Sequence, residues 1–306
     1  MRGLQAVEGQ TAGSQGRLAV VGDLLEDVVV WGTDRLEHAT DNPATIVRSR
    51  GGSGANVAVA AAALVPVRFI GRIGDDALGA QLESELADNG IDARVQRAGT
   101  TGTVIVLVAP DGERTMIPDR SAAAELGRIE PSWLDGVAWL HVPMYGFATS
   151  GAATAIREFA AAATSRGIPI SLDTSSVSLL RELGVERALA LISELAPAVV
   201  FANAAETAFL DLPRSTAGSE SIFILKNGGG PVLVVSGADR FSVEVESVPV
   251  VRDSTGAGDA FAAGYLAAAM RGLPPLDCVK NGSRTAAGVL LRPGAHPGAR
   301  LSHIVS

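Results

Sequence analysis

The stretch Asp253-Ser254-Thr255-Gly256-Ala257-Gly258-Asp259-Ala260-Phe261 runs small residues straight into an alanine-rich segment with helical character. A helix that opens on glycine and alanine leaves its first backbone N–H groups unpaired and facing outward. They lie at the positive end of the helix dipole, so the turn at Gly256, Ala257 and Gly258 is a natural anion cradle. Asp259 inside that cradle would repel a bound phosphate, yet it could align an attacking hydroxyl and take its proton. A tight turn followed by an ordinary helix-start acid fits this motif equally well, because helix N-termini favour aspartate.

A second cluster, Gly51-Gly52-Ser53-Gly54-Ala55-Asn56, also leads into a small-residue helix. Glycine permits close approach of backbone to a ligand, and Asn56 offers both a donor and an acceptor to hydroxyls. Tight packing at a helix start is the competing explanation. Other chemistries lose their usual support. No Gly-Lys dipeptide occurs, so there is no P-loop, and Phe261 stands where the dinucleotide fingerprint needs a small residue. Neither a Gly-x-Ser-x-Gly elbow nor a His-Glu-x-x-His motif is present.

The elements that position these turns follow from patterning. Apolar or β-branched runs at 18–21, 27–31, 44–47 and 67–71 read as strands, 55–64 as a buried helix, and 77–89 as an amphipathic helix with Gly90 as its C-cap. The run 103–108, the turn Pro110-Asp111-Gly112 and the return over 114–117 predict a hairpin. Strands at 137–142, 169–172, 198–201 and 232–235 then alternate with helices at 152–166, 179–195 and 204–210, and apolar helices at 260–271 and 276–291 close the chain. This alternation predicts an α/β fold with a mainly parallel central sheet covered on both faces. A small β layer from about 27–50 and 94–118 is expected to project as a lid. With neither a fixed-period repeat nor a low-complexity linker, residues 17–306 are expected to form one domain after a disordered leader over 1–16.

Composition narrows the function classes. The 306 residues carry a net charge of −8, which gives no general attraction for phosphate backbones and argues against nucleic-acid binding. Hydrophobic residues make up 47%, enough for a sizeable core without disulfides, and the single Cys278 excludes an intramolecular disulfide framework. His38, His141, His296 and His303 show no zinc-site spacing. The start of the chain lacks an apolar h-region, and the alanine-rich run 57–67 is too short to span a bilayer. A cytoplasmic protein without a membrane partner is the expectation.

Together the two glycine clusters resemble the paired signatures of the ribokinase-like (PfkB) carbohydrate kinases. Three further segments match in order: Phe69-Ile70-Gly71-Arg72-Ile73-Gly74-Asp75-Asp76, Asn203-Ala204-Ala205-Glu206 and Ser236-Gly237-Ala238-Asp239. The likeness spans about residues 17–298, and five ordered motifs are far more specific than one. It implies a three-layer α/β/α fold with a β lid and an ATP-dependent kinase that phosphorylates a hydroxymethyl group of a sugar or sugar-like acceptor.

By this resemblance Asp259 is the base, and the Gly256, Ala257 and Gly258 amides form the anion hole. The helix dipole is expected to hold the Asp259 pKa low. Asp27, Gly52, Ser53 and Asn56 would contact the acceptor, and Asn203, Ser236, Gly237 and Ser283 the nucleotide. Glu206 would meet Mg²⁺ through water. Several members bind a monovalent cation such as K⁺, and the matching positions are Asp253, Thr255, Val289, Arg292 and Gly294. Ribokinases carry Lys at the position of Ser53 and an acid after the strand at 138–142, where this chain has Pro143-Met144-Tyr145. Met144, Tyr145 and Phe147 could therefore make one pocket wall apolar, which opens a nucleoside as an alternative acceptor; the same side chains could equally be core. A non-catalytic sugar sensor is disfavoured by the intact Asp259 turn. The lid's unpaired edges and apolar face lead us to expect a homodimer through the lid.

Overall fold

The computed structural model describes residues 16–31, 36–109, 114–215, 219–246, 248 and 254–291. The expected leader, the Pro110-Asp111-Gly112 turn, Asp253, Arg292, Gly294, His296 and His303 lie outside the described residues.

Strands β1 (Arg17–Val21), β4 (Val67–Ile73), β5 (Asp92–Arg97), β8 (Val137–Pro143), β9 (Ile170–Asp173), β10 (Val199–Ala202), β11 (Ile222–Asn227), β12 (Gly230–Ser236) and β13 (Asp239–Val243) form one nine-stranded sheet. Its order is β13-β12-β11-β10-β9-β8-β1-β4-β5. Neighbours pair parallel except at the edge, where β12 runs antiparallel to both β11 and β13. Leu18, Ala19, Val20 and Val21 of β1 are all fully buried, as a strand covered on both faces requires. Alternation divides the core. Ala19 and Val21 face one cluster with helices α3 (Ser150–Ser165), α4 (Val177–Leu183) and α5 (Val185–Leu195). Leu18 and Val20 face the other, with α1 (Ser53–Ala62), α2 (Ala77–Asp88), α8 (Ala257–Ala269) and α9 (Pro275–Leu290). The short helices α6 (Ala204–Leu210) and α7 (Leu212–Ser215) follow β10. This is the α/β/α layering expected from the sequence.

The second sheet is the expected lid, in the order β3-β2-β6-β7: β2 (Leu25–Trp31), β3 (Thr45–Gly51), β6 (Thr101–Val108) and β7 (Arg114–Ser121). The hairpin expected around 103–117 is the antiparallel β6–β7 pair. Two expectations need correction. The stretch 94–97, assigned to the lid, belongs to β5, which pairs parallel with β4 at the edge of the main sheet. The β4–α2–β5 unit is a crossover, and the polar β5 sequence Asp-Ala-Arg-Val-Gln-Arg hides a half-covered edge strand. Strand β11 was not anticipated: its apolar part is short and ends in Lys226-Asn227.

On either side of the β1/β8 boundary the strand order runs in opposite directions, with β4 and β5 on one side and β8 to β11 on the other. In open α/β sheets such a switch point opens a crevice at the carboxyl ends of the strands. The chain places Asp23 just after β1, Asp173 at the end of β9, Asn203 after β10 and Lys226 near the end of β11 along that rim.

Candidate active site

Helix α8 begins where the glycine turn predicts. Gly256, its N-cap, has φ 72°, a left-handed conformation that a side chain would strain. The first helical bond joins the Ala260 N–H to the Gly256 carbonyl at 2.8 Å. Ahead of it, the N–H groups of Gly258 and Asp259 have no carbonyl four residues back within the helix. The Ala257 N–H closes the turn onto the Ser254 carbonyl at 3.2 Å, so that member of the expected trio serves the turn itself.

Asp259 bridges to the first glycine motif. Ser53 Oγ donates to its Oδ1 at 2.7 Å, and Asn56 Nδ2 donates to its Oδ2 at 3.1 Å. Both donors come from the first turn of α1, which packs against α8. Behind Asn56, the buried Arg50 donates from Nη1 to Asn56 Oδ1 at 2.7 Å, which sets the amide orientation that points Nδ2 at Asp259. Burial raises the Asp259 pKa from 3.8 to about 6. The Ser53 hydrogen bond opposes that, Asp173 adds to it, and Asn56 and Lys226 oppose it. The expectation that the helix dipole would hold this carboxyl low is therefore corrected: desolvation outweighs the favourable partners.

Asp27 faces the same space from β2. A Cβ on Gly51 would collide with its carboxylate, so that glycine makes room for the acid against the backbone. Gly52, the N-cap of α1, sits against the Asp23 backbone. Burial likewise pushes Asp27 up to about 6, Arg50 and Arg114 pull it down, and Asp259 contributes repulsion. Asp27, Ser53, Asn56 and Asp259 thus form one polar cluster, as the motifs predict, with Gly52 beside it.

On the rim toward β11, Lys226 Nζ lies 3.1 Å from Asp173 Oδ2. Asn203 and Glu206 form a capping box: Asn203 Oδ1 accepts from the Glu206 N–H at 3.0 Å, and Glu206 Oε2 accepts from the Asn203 N–H at 2.8 Å. Thr174 Oγ1 also donates to Glu206 Oε2 at 2.7 Å, and Asn203 Nδ2 to Oε1 at 2.6 Å. Burial and the Asp173 charge raise the Glu206 pKa against the opposing Asn203 backbone hydrogen bond. Each Glu206 oxygen thus already accepts at least one hydrogen bond from the protein.

Other expected site residues are not brought together here. Ser236 pairs with Ile222 at the amino end of β11, and Gly237 lies in the β12–β13 turn beyond it, at the opposite end of the sheet from Lys226. The turn that does reach the rim is Gly228-Gly229, between β11 and β12, where Asn227 pairs with Gly230. Its Asn-Gly-Gly-Gly run after an apolar stretch was the signal available in the sequence. Ser283, buried on α9, accepts from the Glu246 N–H at 2.8 Å and so anchors the segment after β13. Thr255 precedes α8 and Val289 lies on α9; the other three cation positions are outside the described residues. Met144 and Phe147 have no exposed surface and belong to the core, so only Tyr145 of the expected apolar wall is half-buried. The guanidinium of Arg120 covers the Tyr145 ring at 4.0 Å and pairs with Asp23. Patterning also missed Arg50, Asp173, Lys226 and Arg120, because isolated charged residues carry no spacing signal.

Comparisons with known proteins identify the family and the fold. The family model described as pfkB family carbohydrate kinase matches residues 15–300. A fructokinase from Klebsiella pneumoniae is 31% identical over 278 residues, 85% of this chain and 86% of the relative. An ATP-dependent ribose-1-phosphate kinase from Halopiger xanaduensis is 32% identical over 247 residues, 76% of this chain and 78% of the relative. Among solved structures, the adenosine kinase from Sinorhizobium meliloti superposes with a TM-score of 0.82 at 24% identity, covering 93% of this chain and 96% of the other, which establishes the fold.

The raised pKa of Asp259 has a stability consequence. The folded state holds this proton more tightly than the unfolded chain, so the stabilisation is complete below pH 3.8 and is lost as pH rises through about 6. Asp259→Asn removes the penalty of the buried charge. The Tm difference between variant and parent is expected to grow in the variant's favour by about 2–4 °C from pH 4 to pH 8. Thermal unfolding across that range checks this; a difference that does not change with pH would contradict it.

Proposed function

The chain belongs to the pfkB family of carbohydrate kinases, and from that premise we propose that it transfers the γ-phosphoryl group of ATP to a hydroxymethyl group of a sugar or sugar-like acceptor. The observation that carries the reading is the position of Asp259, half-buried at the start of α8 and held by Ser53 and Asn56. A carboxylate with a pKa near 6 is ionised at neutral pH and is basic enough to accept the hydroxyl proton as the O–P bond forms. Asp27 and Asn56 supply an acceptor and a donor for neighbouring hydroxyls, and the amides at the start of α8 face the transferred phosphoryl group.

The nucleotide is placed along the rim beside the Gly228-Gly229 turn, Asn203 and Asp173. Mg²⁺ bound with the triphosphate supplies neutralisation of phosphate charge. Asp173 and Glu206 would accept hydrogen bonds from its water ligands. A sugar is favoured over a nucleoside because Tyr145, the half-buried aromatic of the expected apolar wall, already carries the Arg120 guanidinium on its ring. The lid supports a homodimer. Val47 and Met116 on one face and Ile46, Ile105 and Ile117 on the other expose between 41% and 59% of their surface, and β3 and β7 are open edges. A second copy of the chain would cover them. We place the enzyme in the cytoplasm on the sequence grounds given above.

ADP release with Mg-ATP across pentoses, hexoses, keto-deoxy acids and nucleosides is expected to show turnover with a sugar-like acceptor. Asp259→Asn should lower that turnover about 10²- to 10⁴-fold. Turnover with nucleosides alone would overturn the acceptor class, and full activity in the variant would overturn the base. Sedimentation equilibrium at micromolar concentration is expected to give a dimer that Ile46→Lys together with Ile117→Lys dissociates; a monomer for the parent chain would contradict the lid interface.

A further inference from the structure

The strand-end lysine on β11 is not part of either glycine motif, and its surroundings assign it a task. Lys226 Nζ sits between two groups. Asp173 Oδ2 is 3.1 Å away on one side, and on the other a Cβ placed on Gly258 would lie only 3.3 Å from the ammonium. Gly258 is the second residue of α8, so the ammonium lies against the amides that begin the helix. Its side chain is only 14% exposed. Asp173, Glu206 and Asp259 are the carboxylates whose fields act on it; burial lowers its pKa, but those three together raise it overall, so the ammonium stays charged.

We propose that Lys226 is a direct ligand of the ATP γ-phosphate, held in readiness by Asp173 and aimed at the mouth of the α8 amide cradle. This inference rests on the kinase reading given above and names the side chain that completes it. The amides at the helix start supply partial charges only. A full positive charge next to them offsets what Asp259, Asp173 and Glu206 would otherwise impose on an incoming triphosphate. Asp173 acts as the positioning residue: with Oδ1 it accepts from the Ser175 N–H at 2.8 Å, which leaves Oδ2 to hold the ammonium. The absence of a side chain at Gly258 then has a physical reason, since a methyl group there would crowd Nζ and the phosphate oxygens together.

A purely structural role, in which Lys226 only neutralises the buried Asp173, makes a different prediction, and nucleotide binding separates the two. Calorimetry with Mg²⁺ plus the non-hydrolysable analogue AMP-PNP, and separately with Mg-ADP, is performed on the full chain and on Lys226→Met and Lys226→Arg. The proposal expects Lys226→Met to lose about 10- to 100-fold in AMP-PNP affinity while ADP affinity changes less than about threefold, with Lys226→Arg restoring most of the loss. Equal affinity of parent and Lys226→Met for AMP-PNP, or parallel losses for both nucleotides, would overturn it. If Lys226→Met does not fold, Lys226→Gln carries the same test, with the same expected loss for AMP-PNP and the same outcomes that would overturn the proposal. Failure of the parent chain to bind either nucleotide would count against the kinase reading itself.

Discussion

A single carboxylate, Asp259, joins the two halves of the site, and the rest of the architecture serves its placement. It starts α8, while its two hydrogen-bond donors start α1. Both helices are rich in alanine. Ala55, Ala58 and Ala61 of α1 and Ala262, Ala263 and Ala267 of α8 are all buried in one cluster. Small side chains let the backbones approach closely enough for a serine hydroxyl to span the gap. Arg50, at the lid's hinge strand β3, then links that contact to the lid through Asn56. One chain of hydrogen bonds thus runs from Arg50 in the lid through Asn56 to Asp259 on α8.

Electrostatics makes this placement costly and chemically useful at once. Asp27 and Asp259 are both raised to about 6 by burial, and each lies in the other's field. Arg50 and Lys226 sit on opposite flanks, one toward the lid and one toward the sheet rim. On the proposed kinase reading, an acceptor hydroxyl entering between Asp27 and Asp259 would meet two acceptors, and a triphosphate arriving from the rim would meet the lysine and the amides. Stability is given up locally for this arrangement, as is common where a site holds partly desolvated acids. The cost falls on a domain whose nine-stranded sheet packs against two large apolar clusters, one on each face.

Much of this was legible before any coordinates. Continuous apolar runs such as Leu18–Val21 could only be doubly covered strands, and the Gly256 turn announced a helix start, because sterics and unpaired amides act locally. What escaped was long-range. Strand β5 carries arginines and an aspartate because one edge of the sheet is half-covered, so its pattern mimics a lid strand. Ser236-Gly237 matched a motif by composition, yet the antiparallel turn of β12 carries it to the wrong end of the sheet, and only the Ile222–Ser236 register reveals this. Asp173 and Lys226 are 53 positions apart and meet because β9 and β11 flank β10. The low pKa expected for Asp259 failed because the dipole is a partial charge, whereas desolvation acts on the whole carboxylate.

The pH dependence of kcat/KM with a turned-over acceptor tests the central claim most directly, because it reads the protonation of the free enzyme's base. If Asp259 is that base in the environment described, the rate falls tenfold per pH unit on the acid side with a midpoint near pH 6. A profile that stays flat down to pH 4.5 would contradict the account, because the Asp259 carboxyl would then either titrate as an ordinary aspartate or take no part in the transfer.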